Sequence, residues 1–327
     1  MKMQDAPGAK LKSALFLPPH PGRKGEGGLR TQGHLKKGGH RDKKATSADG
    51  CEAKQNPLVT VITVVFDGVK GLEKTIQSVI GQSYDNVEYL VIDGGSTDGT
   101  IDVIRKYEDK IDYWVSETDF GIYDAMNKGI RLSRGDFIGI IGAGDCYEKQ
   151  AIARVVETFS QKAADVVYGD VEVVDAETAL SYRRRSRSEL MPRTMSSISH
   201  PTTFAKRSIY LSRLFDTKAR IAADYDLFLG LYIDGYRFEH SGGIVAHILT
   251  GGVSSSFLTL IEVFKVHQKY YGSFYAASQF VPSTVRHMFY AGRRVALKCL
   301  LSPAGYSAAR TWWLRYKRRK NTGCERP

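Results

Sequence analysis

Apolar positions alternate along the middle of the chain between unbroken runs and spaced stripes. Leu58 to Phe66, LVTVITVVF, is a nearly continuous β-branched run, as expected of a strand covered on both faces. GLEKTIQSVIGQ follows, with Leu72, Ile76, Val79 and Ile80 on one helical face and Gly81 placed to end the helix. VEYLVI is a second buried strand, IDVIRKY a second helical pattern and IDYWVS a short third strand. GIYDAMNKGIRL, with Ile122, Met126 and Ile130 at spacing four, predicts a third helix, and DFIGIIG a fourth strand. This alternation predicts an α/β fold with a mostly parallel central sheet flanked by helices. Ligands of such sheets lie beyond the carboxyl ends of the strands. That rule singles out three strand-end acids, Asp67, Asp93 and Asp145.

Beyond Asp145 the pattern loosens. A helix over 151–159 leads to ADVVYGDVEVVD, then to the irregular basic stretch YRRRSRSELMPR and to SISHPTTF, a strand or loop. IAADYDLFLGLYIDG reads as a helix opened by acids and stopped at Gly235. This half is expected to complete the site from the other side.

Charge changes the picture through its position. The net charge is +12, but residues 1–56 carry 12 Lys/Arg against 5 Asp/Glu, and residues 256–327 carry 13 against 2. Residues 57–255 carry 22 against 28, so the centre is mildly acidic, the reverse of a nucleic-acid-binding core. Residues 1–56, rich in Gly, Lys and Arg without apolar periodicity, read as a disordered basic extension. Residues 57–255 read as the folded domain, and 256–327 as a basic, partly helical extension. Cys51, Cys146, Cys299 and Cys324 form no CxxC pair, which argues against a zinc site or a disulfide framework and fits a reducing cytoplasm. SALFLPP is too short for a secretory signal, and no apolar run approaches the roughly 20 residues of a spanning helix.

Each candidate for chemistry has a structural reading beside the functional one. In VIDGGSTDGT a buried strand ends in Asp93, Gly94 and Gly95 permit a tight turn, and Ser96, Thr97 and Asp98 can cap the next helix. The turn is either a plain strand-to-helix cap or a cradle for a ribose or base. Asp124, Asn127 and Lys128 share one side of a helix, as a solvated polar face or a ligand-facing one. In IIGAGDCY, Asp145 is either a turn residue or the holder of a divalent cation; Mg²⁺ needs only one or two carboxylates when phosphates and water complete its shell. Asp224 and Asp226 open a helix, where either acid complements the dipole and Asp224 is a candidate general base. His200 precedes a proline in a shaped loop, and Gly251 to Ser256 is a lid or a linker.

Taken in order, VTVITVVFDGVKGLEKTIQSVIGQSYDNVEYLVIDGGSTDGT, WVSETDFGIYDAMNKGI, IIGAGD and IAADYDLFL closely resemble the family 2 glycosyltransferases, over roughly residues 57–250. The most similar subgroup is that of colanic-acid and exopolysaccharide transferases. The resemblance implies the GT-A fold and inverting sugar transfer from a UDP- or GDP-linked donor to a hydroxyl of a saccharide or lipid-linked acceptor, in cell-surface polysaccharide assembly. It implies Asp224 as the catalytic base and Asp145 as the ligand of Mg²⁺ or Mn²⁺. It places Phe66, Asp67, Asp93, Gly94, Ser96, Asp124, Asn127, Lys128 and Gly144 on the donor side, and His200 and Asp226 on the acceptor side. Two departures stand out: Phe66-Asp67 replaces a common Tyr-Asn, and Gly142-Ala143-Gly144-Asp145 replaces a common Asn-Ser-Gly-Asp.

The C-terminal segment adds a setting. VRHMFYAGRRVALKCLL places Arg286, Arg293, Arg294 and Lys298 on one arc of a helix, and TWWLRYKRRK sets two tryptophans in a basic cluster. This is either a solvated tail or a face for the anionic inner surface of the cell membrane, with no nucleic acid as partner. Two rivals remain at this level. One is a nucleotidyltransferase on a similar sheet, for which VVFDGVKG supplies only Lys70. The other is a non-catalytic protein binding nucleic acid or membrane through its basic ends.

Overall fold

The computed structural model describes residues 14–36, 56–250 and 256–321, with residues 286, 287, 290–299, 303, 304 and 318–321 by backbone only. The alternation read in the sequence becomes β2 (Val59–Val65), α1 (Val69–Ile80), β3 (Val87–Asp93), α2 (Thr100–Lys106), β4 (Tyr113–Glu117), α3 (Ile122–Leu132) and β5 (Phe137–Gly142). β2 pairs in parallel with β3 and β5, and β3 with β4. β2 and β3 are buried at every residue, as their unbroken apolar runs require.

Outside these four strands the sheet is mixed. β6 (Cys146–Tyr147), β7 (Val166–Val174), β8 (Ser181–Arg184), β9 (Thr203–Lys206) and β10 (Phe238–Leu249) extend it. With β1 (Arg23–Gly27) at one edge, the strand order is β1-β4-β3-β2-β5-β9-β7-β10-β6, with β8 paired to β7. Here β7 and β10 are parallel and the other pairings antiparallel. The βα alternation that dictates parallel pairing ends after β5, so the second half is free to pair antiparallel.

Helices cover both faces. α1 and α4 (Ala151–Gln161) pack on one side; α3, α5 (Arg207–Ser212) and α6 (Ala223–Ile233) pack on the other. On α1, Leu72, Ile76 and Val79 are buried but Ile80 is 41% exposed, because the buried stripe runs through Thr75 instead. On α3, Met126 and Ile130 are buried while Ile122 faces a cavity. α3 lies close on the sheet because Gly129 has no side chain: a Cβ there would come within 2.5 Å of Ile62.

Two expectations change. Residues 14–36 do not fit a disordered extension. β1 (Arg23–Gly27) pairs antiparallel with β4 and covers that edge of the sheet. Leu17 packs on the core and Phe16 meets Tyr113 edge-on at 5.6 Å, but charge ties down much of the rest. Arg23 pairs with Glu117 at 2.7 Å, Lys36 with Asp112 at 3.0 Å, and Lys24 Nζ donates to the Gly95 carbonyl at 2.6 Å. Arg30 is buried and pairs at 2.7 Å with Glu88, a buried acid of β3. Residues 1–13 and 37–55, including Cys51, lie outside the described residues, as do 251–255 of the lid-or-linker segment and Cys324.

The stretch from 256 is also integral to the domain. α7 (Phe257–Leu300) breaks at Gly272, whose φ of 83° lies in the left-handed region. Its two arms fold together, and Phe264 meets Phe280 edge-on at 5.3 Å. α8 (Pro303–Asn321) docks on β8 through Lys317, 4.7 Å from the Tyr182 ring centre, while Arg310 pairs at 2.6 Å with Asp175, just after β7. No described helix is long and apolar enough to cross a membrane. The side chains of Arg286, Arg293, Arg294, Lys298 and Cys299 lie outside the described residues.

Candidate active site

Asp224 and Asp145, from distant parts of the chain, line one cavity of about 930 Å³ together with His200. α6 carries Asp224 in its first turn. The amides of Arg220, Ile221 and Ala222, just ahead of that helix, donate to the carboxylate of Glu262 on α7 at 2.9–3.0 Å. Glu262 thus satisfies the amides that lead into α6, including that of its N-cap Ala222, and so fixes the start of the helix that carries Asp224. Asp224 Oδ1 accepts from the Tyr225 amide at 2.8 Å and from Tyr123 Oη at 3.2 Å. Among the described residues nothing donates to Oδ2. Burial pushes the Asp224 carboxyl up to about 6, so a proton can be exchanged near neutral pH.

Asp145 follows a turn in which Gly144 adopts φ 101°. Thr75 Oγ1 accepts from the Gly144 amide at 2.9 Å and donates to the Asp145 carbonyl at 2.7 Å. α1 can approach this turn because Gly71 has no side chain; a Cβ there would lie 2.7 Å from Gly144 Cα. Burial raises the Asp145 carboxyl to about 7, opposed by a backbone hydrogen bond from Leu249. No Lys, Arg or His pairs with it among the described residues. A desolvated carboxylate without a counter-charge fits a cation. No described group of three or more His, Cys, Asp or Glu could hold a metal alone, so such an ion would need phosphate or water ligands as well.

His200 faces the same cavity. Its Nε2 is buried without a partner, and burial lowers its pKa to about 4, so the ring is neutral.

The donor-side residues divide. Phe66 is 67% exposed at the end of β2. A Cβ on Gly94 would touch Asp119 Oδ2 at 2.6 Å and the Phe66 ring at 3.3 Å, so these three meet beyond the strand ends. Lys128 pairs with Glu117 at 3.0 Å and reaches Asp124 at 3.7 Å beside them. Asp119, not singled out from sequence, obeys the same strand-end rule as Asp67, Asp93 and Asp145. Burial raises its pKa, and the charges of Asp124 and Asp93 add to that.

Asp93, Ser96, Asp67 and Asn127 are engaged otherwise. Asp93 is fully buried and accepts from the amides of Gly95 and Ser96, from Ser116 Oγ at 2.5 Å and from Ser96 Oγ. Ser96 Oγ also accepts from the Asp67 amide at 2.8 Å, and Asp67 Oδ1 accepts from the Thr97 amide at 2.9 Å. These three shape the turn that a ligand would meet. Asn127 points inward, and its amide exchanges two hydrogen bonds with the Phe215 backbone. This clamp explains a poor helix former in mid-helix. Asp226 pairs with Lys269 at 2.8 Å on an outer face and does not line the cavity with Asp224.

Known proteins agree with this architecture. Residues 60–219 match the model of Glycosyl transferase family 2. An uncharacterized glycosyltransferase of Mycobacterium tuberculosis is 40% identical over 108 residues, 32% of this chain and 41% of that protein. The chain thus spans less than half the length of that curated relative. S. aureus TarS 1-349, solved in complex with UDP-GlcNAc, superposes with a TM-score of 0.55 at 15% identity, covering 71% of this chain and 72% of that one. The mannosyltransferase PcManGT from Pyrobaculum calidifontis, solved with GDP-Man and Mn²⁺, gives a TM-score of 0.51 at 17% identity over 83% and 88% of the chains. Residues 60–219 are thus similar to a Glycosyl transferase family 2 domain, and the chain has a GT-A-like α/β fold with a mixed central sheet.

Proposed function

We propose that the chain is an inverting glycosyltransferase, moving a sugar from a nucleoside-diphosphate donor to an acceptor hydroxyl. The observation that carries this is the convergence of Asp224 and Asp145 on one cavity, both with carboxyls raised by burial. Asp224 Oδ2 takes the proton of the attacking hydroxyl, while Tyr123 and the Tyr225 amide hold Oδ1 still. The new bond forms as the bond to the diphosphate breaks on the opposite face of the anomeric carbon, which inverts it. A divalent cation on Asp145 would supply electrostatic stabilisation of the diphosphate. The base and ribose lie against Phe66, Gly94, Asp119 and the Asp124–Lys128 pair. His200, neutral and facing the cavity, accepts from or donates to the acceptor.

TarS bound to UDP-GlcNAc and PcManGT bound to GDP-Man and Mn²⁺ support UDP- or GDP-linked donors and a divalent ion. The sequence resemblance supports a role in cell-surface polysaccharide assembly. Trp312, 65% exposed and stacked on Tyr316, supports work at the inner membrane surface. A panel of UDP- and GDP-sugars, screened with and without Mn²⁺ by thermal shift, tests the assignment. One sugar is expected to raise the melting temperature in a metal-dependent way. Stabilisation by none of them would count against a transferase.

A further inference from the structure

Neighbouring arginines of β8 face different surroundings. Arg183 pairs with Asp170 at 2.6 Å. Arg184 lines the cavity, and its one side-chain hydrogen bond among the described residues goes to Ser199 Oγ, next to His200. Beside it Lys317 of α8 lies 4.7 Å from the Tyr182 ring centre and 4.1 Å from that of Trp313. Neither Arg184 nor Lys317 meets a carboxylate among the described residues. Burial lowers the pKa of both, and the Arg184 charge lowers that of Lys317 further. Two more arginines, Arg193 and Arg220, line the same cavity, with no carboxylate partner among the described residues.

Two desolvated like charges side by side are unfavourable unless something negative joins them. β8 and α8 lie outside the strand-end turns against which the donor is placed, although Arg184 shares its cavity with Asp145. Leu260, Val263, Phe264 and Phe280 of the folded α7 add an apolar stretch to the lining of the same cavity.

We infer that Arg184 and Lys317 form a second anion subsite, which binds a phosphate or diphosphate of the acceptor while the donor occupies the first. The inference rests on the transferase reading above for the word acceptor, but not for the anion. The shared chemistry is a diphosphate, carried either by a soluble sugar phosphate or by a lipid whose chain lies along α7.

The test is calorimetric titration of the full chain with sodium pyrophosphate in metal-free buffer. Wild type and Asp145→Asn are expected to bind alike. Arg184→Gln and Lys317→Gln are each expected to bind about tenfold more weakly, the loss of one charge-assisted hydrogen bond. UDP binding with Mn²⁺, measured separately, should survive both substitutions. Farnesyl diphosphate binding more tightly than pyrophosphate assigns the phosphate to a lipid, and equal affinity assigns it to a soluble acceptor. The inference falls if wild type ignores pyrophosphate or if both variants bind it unchanged. It falls equally if they lose UDP–Mn²⁺ in the same measure, which would hand these cations to the donor. Melting temperatures identify a variant that fails to fold, and the other variant then decides. Pyrophosphate binding without any UDP binding would sink the transferase reading and leave the anion subsite standing.

Discussion

At the scale of single residues, Asp224 ties structure to pH. Its folded pKa of about 6 lies above the roughly 3.9 of an unfolded aspartate. The protein therefore prefers the protonated form. Stability from this group is full below about pH 4 and is lost as pH rises through 6. Asp224→Asn should be more stable than wild type at pH 8, by on the order of 2 kcal/mol, and nearly equal to it at pH 4. Melting curves at the two pH values check this; equal stability at pH 8 would mean that Asp224 is solvated. Catalysis runs the other way, because a base must be deprotonated. The acid limb of kcat/KM should have its midpoint near pH 6 in wild type.

This is also the scale at which sequence reading was least complete. The strand-end rule singled out Asp145, and the helix start with the family resemblance singled out Asp224, but neither tells which way a side chain turns. Asn127 was grouped with Asp124 and Lys128 by helical spacing, yet its amide serves the Phe215 backbone. Asp226, two residues from Asp224, turns outward to Lys269.

Among the elements, the buried strands and the helices between them were legible because each carries a period of its own. The strap of residues 14–36 was not, because it is held largely by strand pairing and by charge. Arg30 is its anchor. Removing it leaves Glu88 buried with Thr60 Oγ1, the Arg134 amide and the nearby charge of Arg207, but with no ion pair among the described residues. Arg30→Met should cost about 3–5 kcal/mol in denaturant unfolding. A cost below 1 kcal/mol would show that the strap is dispensable. The second element with a direct role is the first arm of α7. Glu262→Ala removes the acceptor for three amides ahead of α6. It should destabilise by about 1–2 kcal/mol, as loss of a helix cap does. Because α6 carries Asp224, kcat should fall more than donor affinity; equal losses in both would argue that α7 only packs.

On the scale of the whole molecule, the acidic centre and basic ends acquire a division of labour. The N-terminal strap covers the sheet edge and, through Lys24 on the Gly95 carbonyl, steadies the turn beyond β3. Of the C-terminal helices, α7 walls the cavity and α8 sets Lys317 against Tyr182, which lines it. Truncation before residue 256 should therefore abolish sugar transfer, measured as donor turnover, even if the strand-end turns persist. Full activity of that truncated chain would contradict the role given to α7 and α8.

The most direct measurement compares wild type, Asp145→Ala and Asp224→Asn for two properties. One is metal-dependent binding of the nucleotide-sugar found by thermal shift. The other is release of its nucleoside diphosphate when a cell lipid extract supplies the acceptor. Asp224→Asn should bind the donor as wild type does and release no product, whereas Asp145→Ala should lose the metal-dependent part of binding. Turnover by Asp224→Asn at the wild-type rate would contradict the assignment of the base and, with it, the shared cavity as the place of reaction.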